Sequence, residues 1–159
     1  MGVSGAGKTV VGKALAAATG WRFYEGDDYH SARSIEKMRH GIPLDDADRA
    51  PWLDALHRLI AGVVDRGEHA VIACSALKAT YRERLAGDTP TGAVRFVHLD
   101  VPMDVLRARL RTRVGHFMPP ELLASQLATL EPPHDALWVD GTNPPAEIVA
   151  RIRRELGMT

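Results

Sequence analysis

Hydrophobic positions along the chain return in two alternating rhythms. Over residues 51–66, Trp52, Leu56, Leu59, Ile60, Val63 and Val64 recur at three- and four-residue steps, which predicts a helix with one buried stripe. Residues 71–74, 94–99 and 137–139 are short β-rich runs and read as strands. Phe23-Tyr24, ending at Glu25-Gly26-Asp27, reads as a fourth. Pro102 suits the first turn of a helix running to about Arg113, and Pro144-Pro145 opens a last helix carrying Ile148, Val149, Ile152 and Leu156. Helices that follow strands directly are crossover units, so the pattern predicts an α/β layer fold with a mainly parallel sheet flanked by helices. The pattern breaks over 115–120 before Leu122, Leu123, Gln126, Leu127 and Leu130 resume it. The region 107–130 therefore reads as a helical hairpin able to move as a lid. With no repeat, low-complexity tract or linker, residues 1–159 form one expected domain.

Composition narrows the function classes. A chain of 159 residues with 45% hydrophobic and 25% charged residues has room for one core. Twenty Lys+Arg balance twenty Asp+Glu. No global basic field is expected to hold nucleic acid or an anionic membrane, so any anion must be met locally. A single cysteine, Cys74, excludes an intramolecular disulfide framework, and no Cys/His spacing suggests zinc. There is no apolar run near the roughly 18 residues of a membrane span and no signal-peptide pattern. A reducing cytoplasm is the expected compartment.

The local anion site is legible in Gly2-Val3-Ser4-Gly5-Ala6-Gly7-Lys8-Thr9, which matches G-x-x-x-x-G-K-[ST] and runs into a helical stretch over 10–18. Glycines let backbone N–H groups from Gly2 to Gly7, Ser4 and Ala6 included, close on phosphate oxygens, and the helix adds the positive end of its dipole. Lys8 is expected between the β- and γ-phosphates of ATP, and the Thr9 hydroxyl on Mg²⁺. The plain alternative is a glycine-rich turn before a helix. In this motif a strand precedes the loop, whereas here only Met1 does. An Ala/Val-rich strand upstream is therefore expected, giving a sheet of about five strands with it.

The class of phosphate-loop protein follows from what accompanies the loop. No N-K-x-D or D-x-x-G string occurs, which disfavours a switch GTPase. The run 71–74 ends in Ser75-Ala76 and not in an acid, so a metal-side carboxylate must come from elsewhere. Glu25-Gly26-Asp27-Asp28 supplies it where parallel strands deliver their C-terminal ends beside the loop. Transfer to an alcohol needs a group that orients the hydroxyl and accepts its proton, and Asp27 is the candidate. Glu25 or Ser75 would reach Mg²⁺, directly or through water. A solvated acidic turn is equally compatible with this spacing.

Several strings then coincide: the loop itself, Glu25-Gly26-Asp27-x-x-His30, Ile35-Glu36-Lys37-Met38, Gly41-x-Pro43-Leu44, Asp45-Asp46-x-Asp48-Arg49-x-Pro51-Trp52-Leu53, Cys74-Ser75-Ala76-Leu77-Lys78-x-x-Tyr81-Arg82 and Gly115-His116-Phe117. Together, over nearly the whole chain, they resemble the gluconate kinases. The resemblance implies transfer of the ATP γ-phosphate to the 6-hydroxyl of D-gluconate, on a three-layer shikimate-kinase-like fold, often as a homodimer. It implies that Asp27 faces the acceptor hydroxyl and that Glu25 replaces the usual Asp of the metal shell, one methylene longer. His30, Arg49, Lys78 and Arg82 fall in strings that shape the acceptor pocket. A guanidinium can grip the sugar-acid carboxylate, while imidazole and lysine serve its hydroxyls. Without the resemblance, Arg49, Lys78 and Arg82 would read as helix-surface charge and His30 as a capped loop residue.

The same resemblance implies that Arg113 contacts the transferring phosphate, that Arg109 stacks on adenine, and that Pro144 lines the adenine pocket. His116 and Gln126 would touch substrate on closure. Trp52, Trp138 and the leucines from Leu122 read as core, and Cys74 as a packed residue. Two rivals stay open: a kinase for another small acceptor, such as a different sugar acid, shikimate or adenylylsulfate, and a nucleotide-gated binding protein without an acceptor base.

Overall fold

Two parallel strand pairs organise the protein, for which a computed structural model describes residues 1–112 and 122–158. The elements are α1 (Lys8–Thr19), β1 (Arg22–Glu25), α2 (Ala32–Arg39), α3 (Asp46–Asp65), β2 (Ala70–Ala73), α4 (Ala79–Ala86), β3 (Val97–Asp100), α5 (Met103–Thr112), α6 (Leu122–Thr129), β4 (Leu137–Asp140) and α7 (Pro145–Leu156). A single 3₁₀ turn, Gly26–Tyr29, follows β1. β1 pairs β2 from Arg22 opposite Ala70 to Glu25 opposite Ala73. β3 pairs β4 from Val97 opposite Leu137 to Asp100 opposite Asp140.

The backbone of residues 1–2 runs between the two pairs. The Met1 nitrogen donates to the Val97 carbonyl. The Leu99 N–H donates to the Met1 carbonyl and the Gly2 N–H to the Ser75 carbonyl, each at 3.1 Å. Beside this bridge lies a largely apolar cavity of about 810 Å³ walled by α1, α7 and the facing sides of β2 and β3.

Burial follows the predicted stripes. Val11 and Leu15 of α1 pack with Leu99, Val139 and α7's Ile148, Val149 and Ile152. A second cluster joins Trp52, Leu53 and Leu56 of α3 to Tyr81 and Leu85 of α4. Met38, Leu44 and Leu122 form a third. Among the described residues no helix is long and apolar enough to cross a membrane.

Element boundaries depart from the sequence reading for identifiable reasons. α3 starts at Asp46 and not at 51, because Asp45 and Asp48 close a capping box: the Asp48 N–H donates to the Asp45 carboxylate at 2.7 Å, and the Asp45 N–H to Asp48 at 3.2 Å. β3 starts at Val97 and not at 94, since its partner β4 begins at Leu137 opposite Val97. Four strands form among the described residues, against about five expected with one upstream of the phosphate loop. α2 and α4, each eight residues, are not marked by any apolar stripe in the sequence. α5 and α6 fall within the stretch expected as a hairpin, whose tip lies outside the described residues.

Candidate active site

The phosphate loop takes a shape that its glycines permit. Gly5 has φ 85°, and a Cβ there would stand 3.2 Å from the Leu110 side chain and 3.3 Å from the Leu106 carbonyl. Gly7 caps α1 in the left-handed region at φ 98°. Arg109 of α5 braces the loop: its Nη1 donates to the carbonyls of Gly5 and Ala6 at 3.3 and 3.4 Å, and its Nη2 to that of Gly141 at 2.9 Å. The Lys8 ammonium donates to the Val3 carbonyl at 3.0 Å. The Ser4 N–H donates to Gln126 Oε1 of α6 at 2.6 Å.

β1 delivers its carboxylates beside this loop. At Gly26 a Cβ would come within 2.5 Å of the Ala73 carbonyl, so only glycine lets the turn lie against the end of β2. Glu25 thereby meets the loop, and the Thr9 hydroxyl donates to its Oε2 at 2.6 Å. Hydroxyl and carboxylate are hard oxygen donors of the kind Mg²⁺ takes. Among the described residues no group of three or more His, Cys, Asp or Glu could hold a metal by itself.

A cleft of about 200 Å³ opens from the loop toward α3, and Asp27, His30, Arg49 and Ser75 line it with Lys8, Thr9, Glu25, Arg109 and Gln126. His30 stacks on Trp52 with ring centroids 4.4 Å apart, and the Trp52 indole N–H donates to the Gly26 carbonyl at 2.8 Å. Burial lowers the His30 pKa, Asp27 opposing and Arg49 reinforcing the shift, so the ring is a neutral imidazole at pH 7. Arg49 Nη1 donates to the Tyr81 hydroxyl at 3.3 Å. Met38, Leu44, Trp52 and Leu77 add apolar wall. The sequence reading gave none of these four to the site. For Trp52 the apolar period hid the role, since the residue is both core, at 2% exposure, and wall.

Other expected site residues lie elsewhere. Arg82 is 6% exposed, and its Nη1 stands 3.1–3.2 Å from the carbonyls of Ala76, Leu77 and Glu131. It ties α4 to the segment after α6 and is not among the residues that line the cleft. Lys78 likewise lies outside the cleft wall, with its ammonium 2.8 and 3.0 Å from the two carboxylate oxygens of Asp46. Pro144 caps α7 away from the cleft. Gly2 and Ala6 are buried in the loop's own packing. Arg109 lines the cleft and serves the loop's carbonyls. Arg113 and His116 fall outside the described residues. Cys74 is buried, and burial pushes its thiol up to about 12, which suits a packed residue and not a nucleophile.

Comparison with known proteins agrees with this geometry. A family model described as an AAA domain matches residues 1–133. A gluconokinase of Gluconobacter oxydans is 48% identical over 157 residues, covering 97% of this chain and 87% of the relative. An unliganded crystal structure of a sugar kinase from Janibacter sp. superposes with TM-score 0.92 at 44% identity, over 100% of this chain and 92% of that one. A gluconokinase structure from Sinorhizobium meliloti 1021 gives TM-score 0.85 at 46% identity, over 99% and 89%. With a phosphate loop, an acid and an arginine lining one cleft, and with this similarity to those enzymes, the chain belongs to the gluconokinase family of P-loop kinases.

Proposed function

We propose that the protein transfers the γ-phosphate of ATP to the 6-hydroxyl of D-gluconate, giving 6-phosphogluconate and ADP. The observation that supports the reading is the cleft itself, which the phosphate loop lines together with Asp27 and Arg49. Asp27 accepts the proton of the 6-hydroxyl as that oxygen bonds to the γ-phosphorus and the bond to the β-bridging oxygen breaks. Lys8 and the loop amides hold the phosphates and offset the charge that develops on them. Arg49 takes the sugar-acid carboxylate, and His30, neutral, bonds a hydroxyl. Thr9 and Glu25 would hold Mg²⁺, with Ser75 acting through water. Bound there, the ion would neutralise charge between the β- and γ-phosphates. Arg109 presents its guanidinium face to the adenine, Arg113 acts on the transferring phosphate, and His116 and Gln126 touch the substrate.

The test is ADP release across gluconate, other sugar acids, shikimate and polyols. Release should rise strongly with gluconate alone, and Asp27→Asn should lower kcat by roughly 10²-fold or more while leaving KM for ATP in place. Equal release with and without every acceptor would overturn the reading. Turnover of a different acceptor would redirect it to that substrate.

A further inference from the structure

We infer that the Tyr81 hydroxyl is a positioning residue that keeps Arg49 available to an anionic acceptor, and so sets the preference for an acid over a neutral polyol. This deepens the proposed function and rests on it. An arginine at a cleft wall has a long arm whose freedom must be lost when it binds a carboxylate. Tyr81 removes much of that freedom beforehand. Its ring is 5% exposed in the α3–α4 core, with the Arg49 guanidinium carbon 5.7 Å from the ring centroid. Its hydroxyl accepts the 3.3 Å hydrogen bond from Arg49 Nη1.

The same hydroxyl donates to the Asp46 carboxylate. Asp46 is also gripped by Lys78 through both oxygens, and Lys78 first, then Tyr81, holds its carboxyl below the usual range. This order of partners matters. A bare Asp46 would compete with a substrate carboxylate for the guanidinium. With Lys78 offsetting its charge and the phenol standing between, Arg49 is oriented by a neutral acceptor and keeps its full positive charge for the ligand.

A double-mutant cycle tests the coupling, with the wild type first run on the acceptor panel. Tyr81→Phe keeps the ring and should raise KM for gluconate roughly 3- to 10-fold, leaving kcat and KM for ATP unchanged. In an Arg49→Ala background the same change should add nothing. Asp46→Asn, an exposed substitution at the other end of the hydrogen bond, should raise KM in the same Arg49-dependent way, and it reports even if Tyr81→Phe folds poorly. An unchanged KM in both variants, or an equal rise with and without Arg49, would overturn the inference. A wild type that turns over no sugar acid would instead defeat the functional reading, and this inference with it.

Discussion

Arg49 and Arg82 are both helical arginines that sequence alone reads as surface charge, and the fold gives them different surroundings. Arg49, on α3, reaches the cleft wall. Arg82, on α4, is buried against three carbonyls. Nothing in residue type or helical period separates them, because the difference lies in what α4 packs against, and that is set by a segment far away in sequence, at Glu131. Arg82→Ala should therefore cost stability, about 2–4 kcal/mol for orphaned carbonyls and lost packing, and leave KM for gluconate unchanged. Urea unfolding set beside steady-state kinetics checks this. A raised KM at intact stability would return Arg82 to the acceptor site. Glycines and acids were more readable than arginines. The phosphate loop is a contiguous pattern whose spacing dictates geometry, and Glu25 and Asp27 follow a strand that delivers them beside it. Met38, Leu44 and Leu77 could not be picked out, since an apolar wall residue looks like any other core residue.

Elements were legible where periodicity ran long. α3 and α7 announced themselves, whereas α2 and α4, eight residues each, span too few turns for a stripe to stand out from coincidence. The start of α3 was missed for another reason: it is fixed by the Asp45–Asp48 capping box, a polar signal ahead of the apolar stripe. That cap has a functional side. The Arg49 N–H donates to the Asp45 carbonyl at 3.2 Å, so the turn the cap closes also carries the arginine of the cleft. Asp45→Ala should lower stability by about 1 kcal/mol, a few degrees in Tm at this size, and raise KM for gluconate without moving KM for ATP. A melt that shifts while both constants hold would separate the cap from the site.

At the scale of the molecule, the α/β class and parallel pairing followed from helices alternating with strands, while the division into two strand pairs had no local signature. Protonation acts at this scale too. His30 and His98 are both held below their ordinary value of 6.5, burial being the first cause in each. Each is therefore favoured neutral in the folded state, and the unfolded chain takes up protons first as pH falls. Their contribution is complete above about pH 7 and is lost on acidification from about 6.5 downward through the folded values. Urea midpoints at pH 7.5, 6.5 and 5.5 should fall most steeply over the last interval, and His98→Phe should flatten that fall. A profile flat to pH 5 would contradict it. The exposed carboxylates of Asp46, Glu68 and Asp140 and the half-buried one of Asp48, also shifted down, act in a separate and more acidic window. One last property of the whole depends on Arg109, whose guanidinium takes the loop carbonyls of Gly5 and Ala6 and fastens them to Gly141 near the start of α7. A receptor cut from peptide backbone repels its own guest unless its oxygens already face away. With two of those oxygens engaged by a cation, less of the affinity for a polyanion is spent on reshaping the host.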